Sequence, residues 1–374
     1  MRCAVYQSID DIGADRIAPL QGSPVDFSHG VLRALERSLW GDLEVRYVCV
    51  EENGTLLTFV PVNIGTNVAF TAAMPRIVQV GYAALLEHFG LAAAYKIAVV
   101  GSLISDRGFI PLHPECDQKA AVELLLQGID ELARTEKVHI CFLKDLHQDC
   151  SALTSVRAAG FVECYSLPTV RVDTNFGSAQ EYIGSLTQNG RSHARRTLRK
   201  IGQNFTLRAV QDYASMIPDV YPLFRATYLK AQFKLEELPP GFFVECSRAL
   251  VPSSELVLCE KGSHIIGAYF VLYTAQQQLN KRIGIDYSDA DSAAVYNVLN
   301  YYCLIRAVER GIPISYLGQT SYTPKVRMGG ILENQFLFIK GYDLGVRASL
   351  PLQKAWMWRY RAARVYKQMA GKAA

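Results

Sequence analysis

"LEVRYVCVEENGTLLTFVPVNI", Leu43 to Ile64, alternates apolar and polar residues on either side of Asn53-Gly54. A period of two marks strands with one face on a core, and Asn-Gly readily takes the left-handed conformations of a tight turn, so the stretch predicts an antiparallel hairpin. A second stretch, "SELVLCEKGSHIIGAYFVLYT", Ser254 to Thr274, does the same around Lys261-Gly262. What comes after each hairpin also repeats. In the first half these are an amphipathic helix, "QKAAVELLLQGIDELARTEK", a short apolar strand, "VHICFL", and a strand led by glycine, "GFVECYSL". In the second half they are "AAVYNVLNYYCLIRAVERG", "IPISYLG" and "GGILENQFLFI". A hairpin combined with a crossover helix gives a mixed sheet, and the same order twice gives two α/β units of one topology.

Length agrees with duplication, since 374 residues suit two domains of roughly 150 to 200 each. Pro168 in "YSLPTVRVDTN" breaks the pattern and sets expected domains of 1–166 and 167–374. Half of the residues are apolar, and 20 tyrosines and 16 phenylalanines supply area to bury in both cores. The net charge of +4 is too small to mark the whole chain as a polyanion binder, so any such site must come from local clusters. The amino terminus lacks an apolar core of signal-peptide length, and the most apolar stretch, 80–104, is interrupted by Glu87, His88 and Lys96. A cytoplasmic protein with no integral membrane segment is expected.

The nine cysteines are scattered without a C-x-x-C pair, which predicts reduced, mostly buried thiols. His139, Cys141, His147 and Cys150 lie close together in "HICFLKDLHQDC", but the strand they begin on is apolar on its other face, and no metal is expected there.

Basic residues cluster twice. "SAQEYIGSL" opens with Ser178 and Glu181 in capping-box spacing and stops at Asn189-Gly190. The next expected helix, 191–201, carries Arg191, Arg195 and Arg199 four residues apart, flanked by Arg196 and Lys200, with no acid among them. Like charges at that spacing cost stability, which points to an anionic partner. A second basic amphipathic helix is expected over 350–370, with Trp356 and Tyr360 on its apolar side.

The duplicated layout resembles a tandem GNAT-fold protein, and the second half is similar to the FemABX-like acyl and aminoacyl transferases. The likeness is carried by "LPTVRVDTNFGSAQEYIGSLTQNGRSHARRTLRK", by the second hairpin with "KRIGIDYSDADSAAVYNVLNYYCLIRAVERG", and by "ISYLGQTSYTPKVRMGG". It covers about 165 residues well and the first domain through topology alone. The fold it implies is α/β (α+β), with two GNAT-like domains, each a mixed twisted sheet flanked by helices. The chemistry it implies is amide formation between a small-molecule or peptide amine and an activated acyl group, with no bound cofactor.

Single-domain GNAT enzymes hold acyl-CoA on a glycine-rich turn before a helix. The corresponding turn here, "GIDYSDADSAAVYN", has two acidic residues where phosphates would lie. FemABX-like transferases lack that turn and take the acyl group from aminoacyl-tRNA. In them a lysine after the late strand of the second domain lies near the reacting ester, and Lys325 of "SYTPKVRMGG" matches that position. This segment reads as a loop standing where the first half has the helix of "CSALTSVRAAG".

Lys325 lies at the carboxyl end of a short apolar strand, where α/β sheets place ligands. Its ammonium would donate to a developing oxyanion or hold a phosphate. Arg327 would share that task or pair with an acid, and Gln319 and Tyr322 flank the lysine to read the substrate. Asp286 in "IGIDY" fits either a base for the attacking amine or a buried hydrogen-bond acceptor. Tyr287 and Asn297 surround the same turn, with Tyr296 beside them. Arg191, Arg195 and Arg199 would grip phosphate. Two rival functions carry the same fold: an acyl-CoA-dependent N-acyltransferase and a binding module without turnover.

Overall fold

The computed structural model describes residues 1–20, 22, 24–38, 43–65, 96–231, 237–348, 350, 351 and 354. Among these residues fourteen strands form two seven-stranded mixed sheets. The first carries β1 (Arg2–Tyr6), β2 (Glu44–Glu52), β3 (Thr55–Gly65), β4 (Ile97–Val100), β5 (Ile140–His147) and β6 (Val162–Tyr165). The second carries β7 (Thr169–Asp173), β8 (Thr206–Val210), β9 (Ser254–Lys261), β10 (His264–Tyr273), β11 (Gln277–Ile285), β12 (Ile314–Tyr316) and β13 (Ile331–Glu333). The last strand, β14 (Gln335–Gly341), returns to the first sheet.

Both expected hairpins form. Asn53 and Gly54 both have positive φ, 49° and 84°, between β2 and β3. In the second hairpin the two-residue loop is Gly262-Ser263, one position later than the sequence pattern suggests, because Lys261 still pairs with His264.

The sheet orders show one strand joining the sheet of the other half. The first runs β1-β2-β3-β4-β5-β14-β6 and the second β8-β9-β10-β11-β12-β7-β13, so the sixth place in the first sheet is filled by β14 from the second half, and the sixth in the second by β7, the strand directly after the boundary. The expected single strand of "GGILENQFLFI" is therefore two strands in two sheets, β13 against β7 and β14 between β5 and β6. A cut after residue 166 separates the chain into two segments but not into two sheets.

Helix α1 (His29–Arg37) and the pair α6 (Ile217–Lys230) and α7 (Pro240–Ala249) lie between the sheets. One continuous core joins the halves there, with Tyr47 and Phe59 from the first sheet and Phe242, Phe243 and Phe270 from the second half. The outer faces are covered by α2 (Gln118–Thr135), through Leu125 and Ile129, and by α8 (Ser292–Glu309), through Val295 and Leu299. With aromatic side chains packed across the junction, separating the halves would expose a core rather than a wet interface.

Two expectations are corrected. The segment around Lys325 is a helix, α9 (Tyr322–Arg327), of the same length as its counterpart α3 (Leu153–Ala158), so no helix has been lost from the second copy. Asn189-Gly190 does not stop a helix. Between α4 (Ala179–Ser185) and α5 (Gln188–Leu198), Thr187 is the cap, and its hydroxyl accepts from the Gly190 amide at 3.2 Å. His139, Cys141, His147 and Cys150 do not converge: Cys141 is core, His139 lies near Asp343, and His147 lies between Asp149 and Glu333. The 350–370 helix falls almost wholly outside the described residues. Among those described, no helix is long and apolar enough to cross a membrane.

Candidate functional site

β11 and β12 run parallel for only three residue pairs, Gln277–Leu279 against Ile314–Tyr316, and then diverge. Just past the last pair β11 is bulged. Phe270 pairs with Arg282 and Val271 with Asn280, which leaves Lys281 as the extra residue. Between the diverging ends, under α6, opens a cleft of about 680 Å3. Its walls carry six tyrosines, 221, 228, 269, 287, 296 and 322, and five basic side chains against the carboxylates of Asp106 and Glu237. The wall therefore suits a ligand that is anionic and has flat or apolar surface.

The first copy begins the same way, with β4 and β5 paired over 97–100 and 140–143. There the gap is filled by the chain itself. Residues 101–112 lie in it, with the Gly108 amide donating to the Asp145 carbonyl at 2.8 Å and the Lys144 ammonium donating to the Leu103 carbonyl at 2.8 Å. Only glycine fits at 108, because a Cβ there would stand 1.9 Å from the Lys144 carbonyl oxygen. This plug carries Asp106 across to the second copy, where its carboxylate pairs with Lys281 at 2.7 Å.

Lys325 faces the cleft and is 4% exposed. Its Nζ donates to the carbonyls of Gly318 and Gln319, at 3.1 and 2.8 Å, leaving one of its three protons for a ligand. Burial pulls the ammonium from its ordinary value down to about 7, with Asp106 opposing the shift. The loop it holds is strained: Gly318, Thr320 and Ser321 all have left-handed backbones, φ 70°, 62° and 49°. Such conformations at non-glycine residues cost energy and persist where the surroundings fix them, here at the edge of the cleft.

Five residues named from the sequence line this cleft: Lys325, Gln319, Tyr322, Tyr287 and Tyr296. Gln319 is not a free reader of substrate, because its amide donates to Asp145, the Leu167 carbonyl and Gln335 and ties the loop to the first copy's strands. Tyr322 donates its hydroxyl to the Pro168 carbonyl at 3.0 Å, and Tyr287 lies under the Lys230 ammonium, 3.7 Å from the ring centre. Asp286 and Asn297 are not among the lining residues. Asp286 accepts from the amide and hydroxyl of Ser288, at 2.9 and 2.6 Å, both through one carboxylate oxygen. The Asn297 side-chain amide reaches back to the Ala293 carbonyl.

Arg327 turns away from Lys325. As neighbours but one on a helix the two point to opposite sides, not to the same side as on a strand. Arg327 belongs with α5: burial lowers the His193 pKa, and Arg327 and Arg196 lower it further. Arg191 is committed to structure, donating to the Gly184 and Leu186 carbonyls that end α4. Arg195, Arg196 and Arg199 are exposed, and no carboxylate among the described residues pairs with them. They form a basic surface outside the cleft.

The turn before α8 is acidic and already partnered. Lys261 bridges Asp289 and Asp291 at 3.2 and 2.8 Å, and Asp289 accepts from the Asp291 amide at the helix start. An amide that a pyrophosphate would need is thus occupied by a carboxylate.

Sequence reasoning missed Asp106, Lys281 and Arg282 in the cleft. For the last two a signal exists, since "NKR" places two cations between Leu279 and Ile283 on one strand. Asp106 has none, because it lies some 175 residues from its partner.

No family model matches the chain, and no curated protein matches it in sequence. Solved structures do match in fold. A structure of FemX superposes with a TM-score of 0.63 at 11% identity, over 94% of this chain and 99% of that one. The C-terminal domain of a putative lysylphosphatidylglycerol synthetase from Agrobacterium fabrum gives 0.56 at 14%, over 94% and 98%. A tandem GNAT protein from the clavulanic acid biosynthesis pathway gives 0.51 at 9%, over 91% and 98%. The chain therefore has the tandem GNAT fold, in the arrangement seen in FemX.

Proposed function

We propose that the protein is an N-acyltransferase that joins an amine acceptor to an activated acyl group, with aminoacyl-tRNA as the donor. The observation that carries this reading is Lys325, a buried ammonium with one proton free toward a large cleft at the end of a diverging strand pair. When the amine attacks the ester, the new C–N bond forms, charge collects on the carbonyl oxygen, and the C–O bond then breaks. The departing oxygen takes up the proton that the amine gives up. Lys325 donates a hydrogen bond from its free N–H to the charged oxygen and keeps its proton, with no covalent enzyme intermediate.

Two features favour a tRNA ester over acyl-CoA. The turn that would cradle a pyrophosphate holds Asp289 and Asp291 instead. The unpaired cations Arg195, Arg196 and Arg199, with Arg327 beside them and Arg191 bracing the helix, suit a nucleic-acid backbone lying outside the cleft while its acylated end enters. Fold likeness to FemX and to a lysylphosphatidylglycerol synthetase is in keeping with aminoacyl transfer. The reading places the enzyme in the cytoplasm, where charged tRNA is made.

The test is to offer the protein a charged tRNA pool and, separately, an acyl-CoA mixture with a panel of amines, and to identify products by mass spectrometry. An amide formed only with charged tRNA is the expected result. Product from acyl-CoA would reassign the donor, and binding of either donor without any product would leave a non-catalytic module.

A further inference from the structure

The cleft belongs to the second copy, yet one of its buried charges comes from the first. Asp106 lies at the tip of the plug 101–112, its backbone carbonyl accepts from Gln335 at 2.8 Å, and its carboxylate pairs with Lys281, whose side chain is 3% exposed. Gly318, at the start of the Lys325 loop, passes so close that an added Cβ would lie 3.1 Å from the Asp106 carboxylate. One carboxylate thus stands between two buried lysines on different elements.

We propose that Asp106 is a positioning residue of the cleft, a carboxylate delivered by the first copy that holds Lys281 against the wall and sets the charge at Lys325. A buried ion pair between two domains contributes little net stability, because desolvation offsets the attraction. Its placement in the cleft wall gives it a second consequence, since Asp106 opposes the effect of burial on Lys325. Burial by itself raises the Asp106 carboxyl, but Lys281, Arg282 and Lys144 outweigh it and hold it below the usual carboxylate range.

The other titratable groups around the cleft are Arg282 on β11, Arg225 and Lys230 on α6, Glu237 beyond that helix, and the hydroxyls of the six wall tyrosines, Tyr322 on α9 among them. Asp26 stands behind Asp106, buried and with its own carboxyl pushed up by desolvation. Among these, Asp106 is the carboxylate whose charge favours the protonated form of Lys325. The use of that charge in transfer rests on the function proposed above, but the charge arrangement does not.

Competitive labelling of the intact protein with acetic anhydride across a pH series, with Lys325 quantified by mass spectrometry, reads its titration without any substrate. Asp106→Asn is expected to move the Lys325 midpoint down by about one pH unit. Lys281→Met, which breaks the same ion pair but leaves the carboxylate for Lys325, is expected to move it up. Lys281→Arg, which keeps the charge, should stay near the wild type. A purely structural ion pair would give no shift, or the same shift in both breaking variants, and either result overturns the proposal. If Asp106→Asn fails to fold, the Lys281→Met and Lys281→Arg comparison decides the matter alone. Loss of the proposed transferase activity would leave these midpoints unchanged.

Discussion

The two diverging strand pairs of this chain have opposite fates. Between β4 and β5 the gap is plugged by residues 101–112, bonded to β5 at Gly108 and Lys144. Between β11 and β12 it stays open as a cleft of about 680 Å3. The difference does not lie in the α3 and α9 helices, which are alike in length. It lies in what the chain does directly after the fourth strand of each copy: the first inserts a plug, whereas β11 runs on through a bulge to Ile285. With the first gap filled, the segment that fills it supplies the second copy with Asp106.

The largest effect that would sharpen this contrast is at Lys325. Lys325→Met should lower turnover about a hundredfold, corresponding to loss of ~3 kcal/mol of transition-state stabilisation, while the circular dichroism spectrum is retained. Full activity in that variant would remove the second cleft from the chemistry. The same substitution carries a pH signature. Because the folded Lys325 titrates near 7, below its ordinary value, the unfolded chain binds more protons between about 7 and 10.5. Its penalty on stability is fully present below 7 and fades as pH rises, so urea unfolding should show the wild type gaining on Lys325→Met across that window. A constant difference would mean that Lys325 titrates normally.

The closed copy can be broken at its tightest point. Gly108→Val should cost ~3 kcal/mol by overpacking against the Lys144 carbonyl, and by dislodging the plug it should also move the Lys325 labelling midpoint. A smaller loss, about 1 kcal/mol, is expected for Gly318→Ala, where a left-handed backbone and the nearby Asp106 both oppose a side chain. Thermal melts of the two variants would rank them, and an inverted order would contradict the closeness of packing at the plug. The smallest effect concerns the surface outside both gaps. Arg195→Glu with Arg199→Glu should raise the apparent KM for charged tRNA severalfold and flatten its salt dependence, with kcat little changed. Unaltered salt dependence would mark the basic helix as merely solvated.

Local patterns carried the duplication into view. Hairpins announce themselves through alternation and turn residues, and the crossover helices through their apolar stripe, so both copies were legible from residues close together in sequence. The return of β14 to the first sheet was not, because Asn334 alone separates β13 from β14 and so short a join does not show that its two sides enter different sheets. Helix α9 was hidden by Pro324 and by the left-handed Thr320 and Ser321, which read as loop. At the site, Lys325 could be singled out by its place after a short strand, whereas Lys281 depends on a bulge set by pairing with β10, and Asp106 on contact between the copies. Arg327 was grouped with Lys325 because the segment read as a loop, whereas residues two apart on a helix point to opposite sides.

The central claim is that the acylated end of the donor enters the open cleft of the second copy and reaches Lys325. Acetic anhydride labelling of Lys325 in the presence of charged tRNA, uncharged tRNA or acyl-CoA tests it directly, with the exposed Lys119 as an internal standard. Charged tRNA should protect Lys325 strongly, uncharged tRNA weakly and acyl-CoA not at all, with Lys119 unaffected throughout. Equal labelling of Lys325 under all conditions, while tRNA binding is confirmed by gel shift, would contradict the account.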